Sequence, residues 1–264
     1  MRILLTNDDG IDAPGIAAMF DALQGLGEVI TIAPRMVQSA AGHGITYREP
    51  LMTEEWVVNE RMKGIAVDGR PADCVKVALR AIWQERFGEG SRPDLTISGM
   101  NSGANVGINI IYSGTVAAAV ESAFLGVPAI AVSLYLGGKD LGRVHYGRAA
   151  QIARHVIDRV LAHKIDKHSV ININVPRTES ADAPIPQIRV VEMNSAPGID
   201  AYDRRVSPYG QVYYWAAGDG MVFSHTSPGS DVEALRAGYA TVTPLTYALT
   251  DYARLQSWKE ALGE

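Results

Sequence analysis

The chain has 264 residues, enough to bury a large α/β core with or without an appendage. Its 47% hydrophobic and 20% charged residues are those of an ordinary globular protein, and a net charge of −5 gives no basic footprint for nucleic acid. One cysteine, Cys74, excludes an intramolecular disulfide, and no apolar run approaches the ~18 residues of a membrane span.

The amino terminus enters a strand at once. Ile3, Leu4 and Leu5 form an apolar run that need not alternate, because a parallel strand is covered on both faces. This leaves no room for a signal peptide and predicts a cytoplasmic protein. The run stops on Asn7, Asp8, Asp9 and Gly10. Pro14 suits the first turn of a helix, and Ile16, Met19, Phe20 and Leu23 carry its buried face. Gly25 and Gly27 end that helix, and residues 29–33 give a second strand, completing a right-handed βαβ unit. A polar loop covers 35–46. Short strands follow at 51–58 and 64–67, a candidate hairpin.

Pro71 opens a helix to about residue 87, which carries Cys74 as a buried thiol. A strand at 95–98, a Gly- and Asn-rich loop at 99–114 and a helix at 116–125 come next. A strand at 128–134, a helix at 146–161 and a strand at 169–175 complete the alternation. The pattern predicts a doubly wound α/β core, mostly parallel, over residues 1–176. Residues 177–230 are rich in Pro, Gly, Ser, Asp and Tyr and predict hairpins outside the main sheet. Tyr202, Tyr209, Tyr213, Tyr214 and Trp215 in that stretch suit an interface, the alternative being that they pack on their own domain. Residues 231–264 supply a strand at 239–243 that returns to the core and an amphipathic helix at 251–262.

Four loops after predicted strands carry the polar residues of interest, and parallel strands bring such loops to one edge of the sheet. They hold Asp8 and Asp9; Ser39 and His43; Asn101 and Asn105; and Ser113, Gly114 and Thr115 at the start of a helix. Adjacent carboxylates repel unless a cation or donors offset them. Carboxylate, hydroxyl and amide oxygens suit magnesium, manganese or calcium better than zinc. The start of the helix offers free N–H groups and a positive end for an anion. Metal beside anion site reads as a phosphate ester. Each part also has a plainer reading: an acidic turn, a solvent-facing serine, a loop histidine, a simple helix cap.

NDDGIDAPG near the amino terminus, AP followed by Ser39, PADCV at 71–75, SGMNSGANVG at 98–107 and YSGTVAAA at 112–119 resemble the SurE family of survival-protein nucleotidases. NINVP at 172–176 and GYATVTPL at 238–245 extend the match over nearly the whole chain. The resemblance implies a Rossmann-like core and a metal-dependent 5′/3′-nucleotidase, with polyphosphate hydrolysis in some members. It implies one divalent cation per subunit (Mg2+ or Mn2+, with Ca2+ as a crystal substitute) held by Asp8, Asp9, Ser39 and Asn101. It also implies a homodimer or homotetramer with carboxy-terminal elements exchanged between subunits. Nucleoside monophosphates are the expected partners; a nucleic-acid duplex and a membrane are not.

In the mechanism this suggests, metal and helix-end amides stabilise developing charge, and Asn105, Ser113, Gly114 and Thr115 orient the phosphate. Asp8, Asp9 and Asn101 act with the metal, and His43 protonates the leaving oxygen. The nucleophile is a metal-polarised water, with direct attack by Asp8 or Asp9 the alternative. A non-hydrolytic nucleotide-binding module and a metal-dependent phosphoryl or glycosyl transferase are the rival readings. Three departures from the family pattern stand out. Ala40 replaces the glycine that usually follows the serine, Gly69-Arg70 replaces GT before PADCV, and 136–143 matches poorly. Arg70 adds a phosphate or base contact, or faces solvent.

Overall fold

The computed structural model describes residues 1–137, 144–198, 201–217 and 221–263, so residues 138–143 of the poorly matching stretch lie outside the described residues. Strand β1 (Arg2–Thr6) is buried from Ile3 onward. Its unbroken apolar run has two covered faces. Ile3 and Leu5 pack in one cluster with Ile16 and Met19 of helix α1 (Pro14–Ala22), whereas Leu4 packs in another with Cys74, Val75 and Trp83. Cys74 is a fully buried thiol, as its apolar helix predicts.

Strand β2 (Glu28–Pro34) lies parallel to β1. Strands β3 (Thr53–Val57) and β4 (Lys63–Val67) form the expected hairpin, and β4 also joins the main sheet parallel to β2. The helix opened by Pro71 comprises α2 (Pro71–Val77), a π-helical turn (Ala78–Ile82) and α3 (Trp83–Phe87). Strand β5 (Leu95–Ser102) continues past the predicted end at Ser98, with a register shift before Asn101. Pairing with the next strand resumes at Asn101, which is why the Gly-rich loop starts later than its composition suggests.

A 3-10 helix (Gly107–Tyr112) then leads into α4 (Gly114–Phe124), β6 (Ala129–Leu134), α5 (Tyr146–Leu161) and β7 (Val170–Val175). Strands β8 (Ile188–Val190), β9 (Ala201–Val206) and β10 (Val212–Ala217), helix α6 (Asp231–Arg236), strand β11 (Ala240–Leu245) and helix α7 (Tyr252–Leu262) complete the chain. The main sheet has nine strands in the order β3-β4-β2-β1-β5-β6-β7-β11-β8. It is mostly parallel; β3 and β11 run against their inner neighbours, β4 and β7. Helices α1 and α5 pack together, as do α2 and α4.

The 177–230 stretch divides. Strands β9 and β10 form a separate antiparallel hairpin, as expected, but β8 joins the edge of the main sheet beside β11. Tyr202, Tyr209, Tyr213, Tyr214 and Trp215 are exposed rather than packed on their own domain, and α7 buries no residue. Among the described residues no helix is long and apolar enough to cross a membrane.

This topology fixes where the site lies. The chain leaves β1 toward β2 on one side and later returns to β5 on the other. Ligands of open α/β sheets bind where the order reverses in this way, outside the carboxyl ends of the strands. Thr6 is in register with Ser98, so Asp8, Asp9 and Asn101 emerge at one level of the same crevice. Helix α1 can approach β5 only because residue 15 is glycine: a Cβ there would strike the Met100 carbonyl. Gly15→Ala should push α1 off the sheet and cost about 2 kcal/mol, as overpacking does. A urea melt would show this as a lower midpoint at unchanged slope, and an unchanged midpoint would mean the contact is not tight.

Candidate functional site

The acidic turn is built inward from its first residue. Asn7 is buried and its side-chain amide donates to the Gly10 carbonyl at 2.8 Å, closing the turn. Asp8 is buried as well, and its Oδ1 accepts the Thr115 hydroxyl at 2.5 Å. Asp9 is half-buried, and its Oδ2 accepts the Ser102 backbone N–H at 2.7 Å. These two bonds tie the end of β1 to the start of α4 and the end of β5. The approach of α4 depends on Gly114, where a Cβ would stand 2.8 Å from the Asp8 Cβ.

The Asp8 carboxyl is raised to about 6, above its ordinary 3.8. Burial raises it most, the Thr115 hydroxyl pulls it back, and the Asp9 charge pushes it up again. Such a group favours its neutral form unless a cation arrives. In the metal-free protein the native state therefore holds this proton more tightly than the unfolded chain. Its contribution to stability is full below pH 3.8 and is lost as pH rises through about 6.

The donors suit a hard cation. Asn101 is half-buried in the crevice and its Nδ2 donates to the Gly103 carbonyl at 2.7 Å. Neither Asn101 Oδ1 nor Asp9 Oδ1 takes part in a hydrogen bond among the described residues. Among the described residues no three His, Cys, Asp or Glu side chains cluster for a metal. Two carboxylates with neutral oxygens are therefore what the site offers, a set that fits magnesium or manganese and not zinc.

Ser39 is exposed on a loop that docks on this turn and on the segment leading into α4. The Gln38 N–H donates to the Asp8 carbonyl at 2.7 Å, and the Gly42 N–H donates to the Tyr112 carbonyl at 3.0 Å. Ala40 adopts φ +54°, the left-handed region where an L side chain is strained. The alanine that departs from the family's glycine thus keeps a glycine-type turn.

The four residues expected to orient a phosphate have unequal freedom. The Ser113 hydroxyl accepts the Val116 N–H at 3.0 Å, the ordinary cap of α4. The hydroxyl of Thr115 serves Asp8. Asn105 donates from its N–H to Asn174 Oδ1 and from Nδ2 to the Ser133 hydroxyl, both at 2.8 Å. Its carbonyl accepts from the side-chain amides of Asn172 and Asn174. The Gly114 amide, at the head of α4, has no partner among the described residues. The positive end of α4 therefore holds Asp8 first and keeps the Gly114 N–H as a donor.

His43 is held by a residue that pattern reading missed. Its Nε2 lies 2.8 Å from Glu121 Oε2, and Lys76 Nζ lies 3.3 Å from Glu121 Oε1. Glu121 is buried; burial alone would raise its carboxyl, but the His43 hydrogen bond and the Lys76 charge hold it below the ordinary value. Asp73, also buried, accepts from the Thr46 N–H and hydroxyl and from the Arg70 N–H, at 2.8, 2.7 and 3.0 Å. A signal existed for Glu121, a lone carboxylate in a helix of small residues, and for Asn172 and Asn174, which alternate on one face of an apolar strand.

A family model described as "Survival protein SurE" matches residues 3–197. The chain is 42% identical to a Rhodopirellula baltica protein named 5′-nucleotidase SurE, with 98% of each chain covered. It is 39% identical to a Syntrophus aciditrophicus protein of the same name, over 100% of this chain and 95% of that one. A crystal structure of the SurE protein from Aquifex aeolicus superposes with a TM-score of 0.81 at 34% identity, covering 99% of this chain and 100% of that one.

Two outcomes follow from this geometry. Ala40→Gly should relieve the left-handed strain and stabilise the protein by ~1 kcal/mol, or about 2–4 °C in Tm by calorimetry; an unchanged or lower Tm would contradict the strain. A cation bound at the Asp8 carboxylate would compete with the proton, so Mn2+ affinity should fall as pH drops through about 6 and level off above it. Calorimetric titration between pH 5 and 8 checks this, and a flat profile would remove Asp8 from the ligands.

Proposed function

The chain belongs to the SurE family, and we propose that it is a divalent-metal-dependent phosphomonoesterase that converts nucleoside 5′- and 3′-monophosphates to nucleoside and phosphate. The observation that carries this reading is the meeting of a buried and a half-buried carboxylate with the head of α4 at the switch point of the sheet. The relatives' name, 5′-nucleotidase, favours the 5′-ester. The 3′-ester and polyphosphate rest on the motif resemblance alone.

Asp8, Asp9, Ser39 and Asn101 are the residues to hold Mg2+ or Mn2+. When bound, the cation would draw charge from the phosphate oxygens and make a nearby water a better nucleophile. The chain's own groups do the rest. Thr115 and Ser102 hold the two carboxylates in place, which favours a role as ligands and leaves attack to water. The Gly114 amide is a donor available to a phosphate oxygen. Glu121 holds the imidazole of His43 by Nε2, so any proton for the leaving oxygen would pass by Nδ1.

The exposed aromatics of the β9–β10 hairpin and the unburied Tyr252, Leu255, Trp258 and Leu262 of α7 support a homodimer or homotetramer that covers them. The reading is of a cytoplasmic enzyme acting on small molecules, not on a duplex or a membrane. Phosphate release from nucleoside monophosphates in Mn2+ should be abolished by a chelator. Asp9→Asn should lower kcat/KM by ~100-fold. A rate indifferent to both treatments would refute the proposal.

A further inference from the structure

Arg70 stands at the amino end of α2, on the rim of the same crevice. Its neighbour Pro71 packs against the head of α4: the Pro71 Cγ lies 3.0 Å from the point where a Cβ on Gly114 would stand, and that point is 2.8 Å from the Asp8 Cβ. The Arg70 backbone is fixed by its N–H bond to Asp73, and Asp73 also grips Thr46, so the start of α2 and the His43–Thr46 loop form one unit. The guanidinium lies across Gly44, where a side chain would collide with Nη1.

The side chain itself is exposed and makes no ion pair among the described residues. Three other basic groups of these segments are already engaged. Lys76 and His43 share Glu121, and Arg35 pairs with Glu54. In a chain of net charge −5, a guanidinium left without a carboxylate beside a candidate phosphate site is notable. Its planar fork of donors matches two oxygens of a phosphoryl group, which a lysine cannot do.

We propose that Arg70 is a second cationic contact for the substrate's phosphoryl group, facing it from the α2 side while the Gly114 amide faces it from the α4 side. This rests on the phosphomonoesterase reading for its substrate, but binding of the phosphate ion is a separate observable. The contact predicts that Arg70 shapes both phosphate affinity and kcat/KM.

The test is calorimetric titration of inorganic phosphate into the full chain in Mg2+, alongside kcat/KM for a nucleoside monophosphate. Arg70→Ala should weaken phosphate binding ~10-fold or more, as loss of a charged hydrogen-bond donor does. Arg70→Lys, which keeps the charge and loses the fork, should fall between Arg70→Ala and the parent. Arg61→Ala removes an exposed guanidinium that pairs with Asp21 and should leave phosphate affinity unchanged. Unchanged phosphate affinity in Arg70→Ala overturns the proposal, as does an equal loss in Arg61→Ala. If the parent binds phosphate through Arg70 yet hydrolyses no monoester, this contact stands and the enzymatic reading fails. If hydrolysis is robust and phosphate binding ignores Arg70, the reverse holds.

Discussion

The site depends on one contact, the hydrogen bond from the Thr115 hydroxyl to the buried carboxylate of Asp8. It joins the carboxyl end of β1 to the amino end of α4. Without it, a carboxylate with most of its surface removed from water and a like charge next door would have little reason to stay in place. The contact needs the backbone of α4 to come closer than any side chain permits at residue 114. Glycine at that position is thus a condition of the site, not a matter of turn geometry.

Around this contact the surrounding loops are locked by buried acceptors. Asp73 gathers Thr46 and the start of α2, Glu121 gathers His43 and Lys76, and Asp231 takes the amides of Gly107 and Asn194. Each is a carboxylate below 5% exposure, and each links segments far apart in sequence. Loops are otherwise the mobile part of an α/β protein, so satisfying buried acceptors in this way makes them rigid enough to present ligands. Pre-organisation of that kind matters for phosphoryl chemistry, where positioning and charge stabilisation do most of the work.

The core was largely legible in the sequence. Unbroken apolar runs gave β1 and β6, the 3.6-residue pattern gave α1 and α5, and Pro71 marked the start of α2. Errors fell where local pattern is weak. Three-residue β8 pairs with β11 because a main-sheet edge was available, which no local signal reports. Strand β5 runs on through Gly99 because pairing resumes with β6 after a register shift. The serine, threonine and asparagine expected to orient a phosphate also serve the fold. Ser113 caps α4, and Thr115 and Asn105 are bonded to protein groups, because hydroxyls and amides serve structure as readily as ligands.

By itself, the sequence determined the alternation of strands and helices, the strand-end acidic pair, the oxygen-rich donor set and the family motifs. These follow from patterns of period two or 3.6 and from side-chain chemistry, both of which are local. Only the tertiary structure decided which groups are already engaged, that α4 lies against Asp8, that Glu121 backs His43, and that the Arg70 guanidinium makes no ion pair among the described residues. Those facts depend on distances between segments as many as 107 residues apart, and packing of a closed core sets such distances where no local rule can.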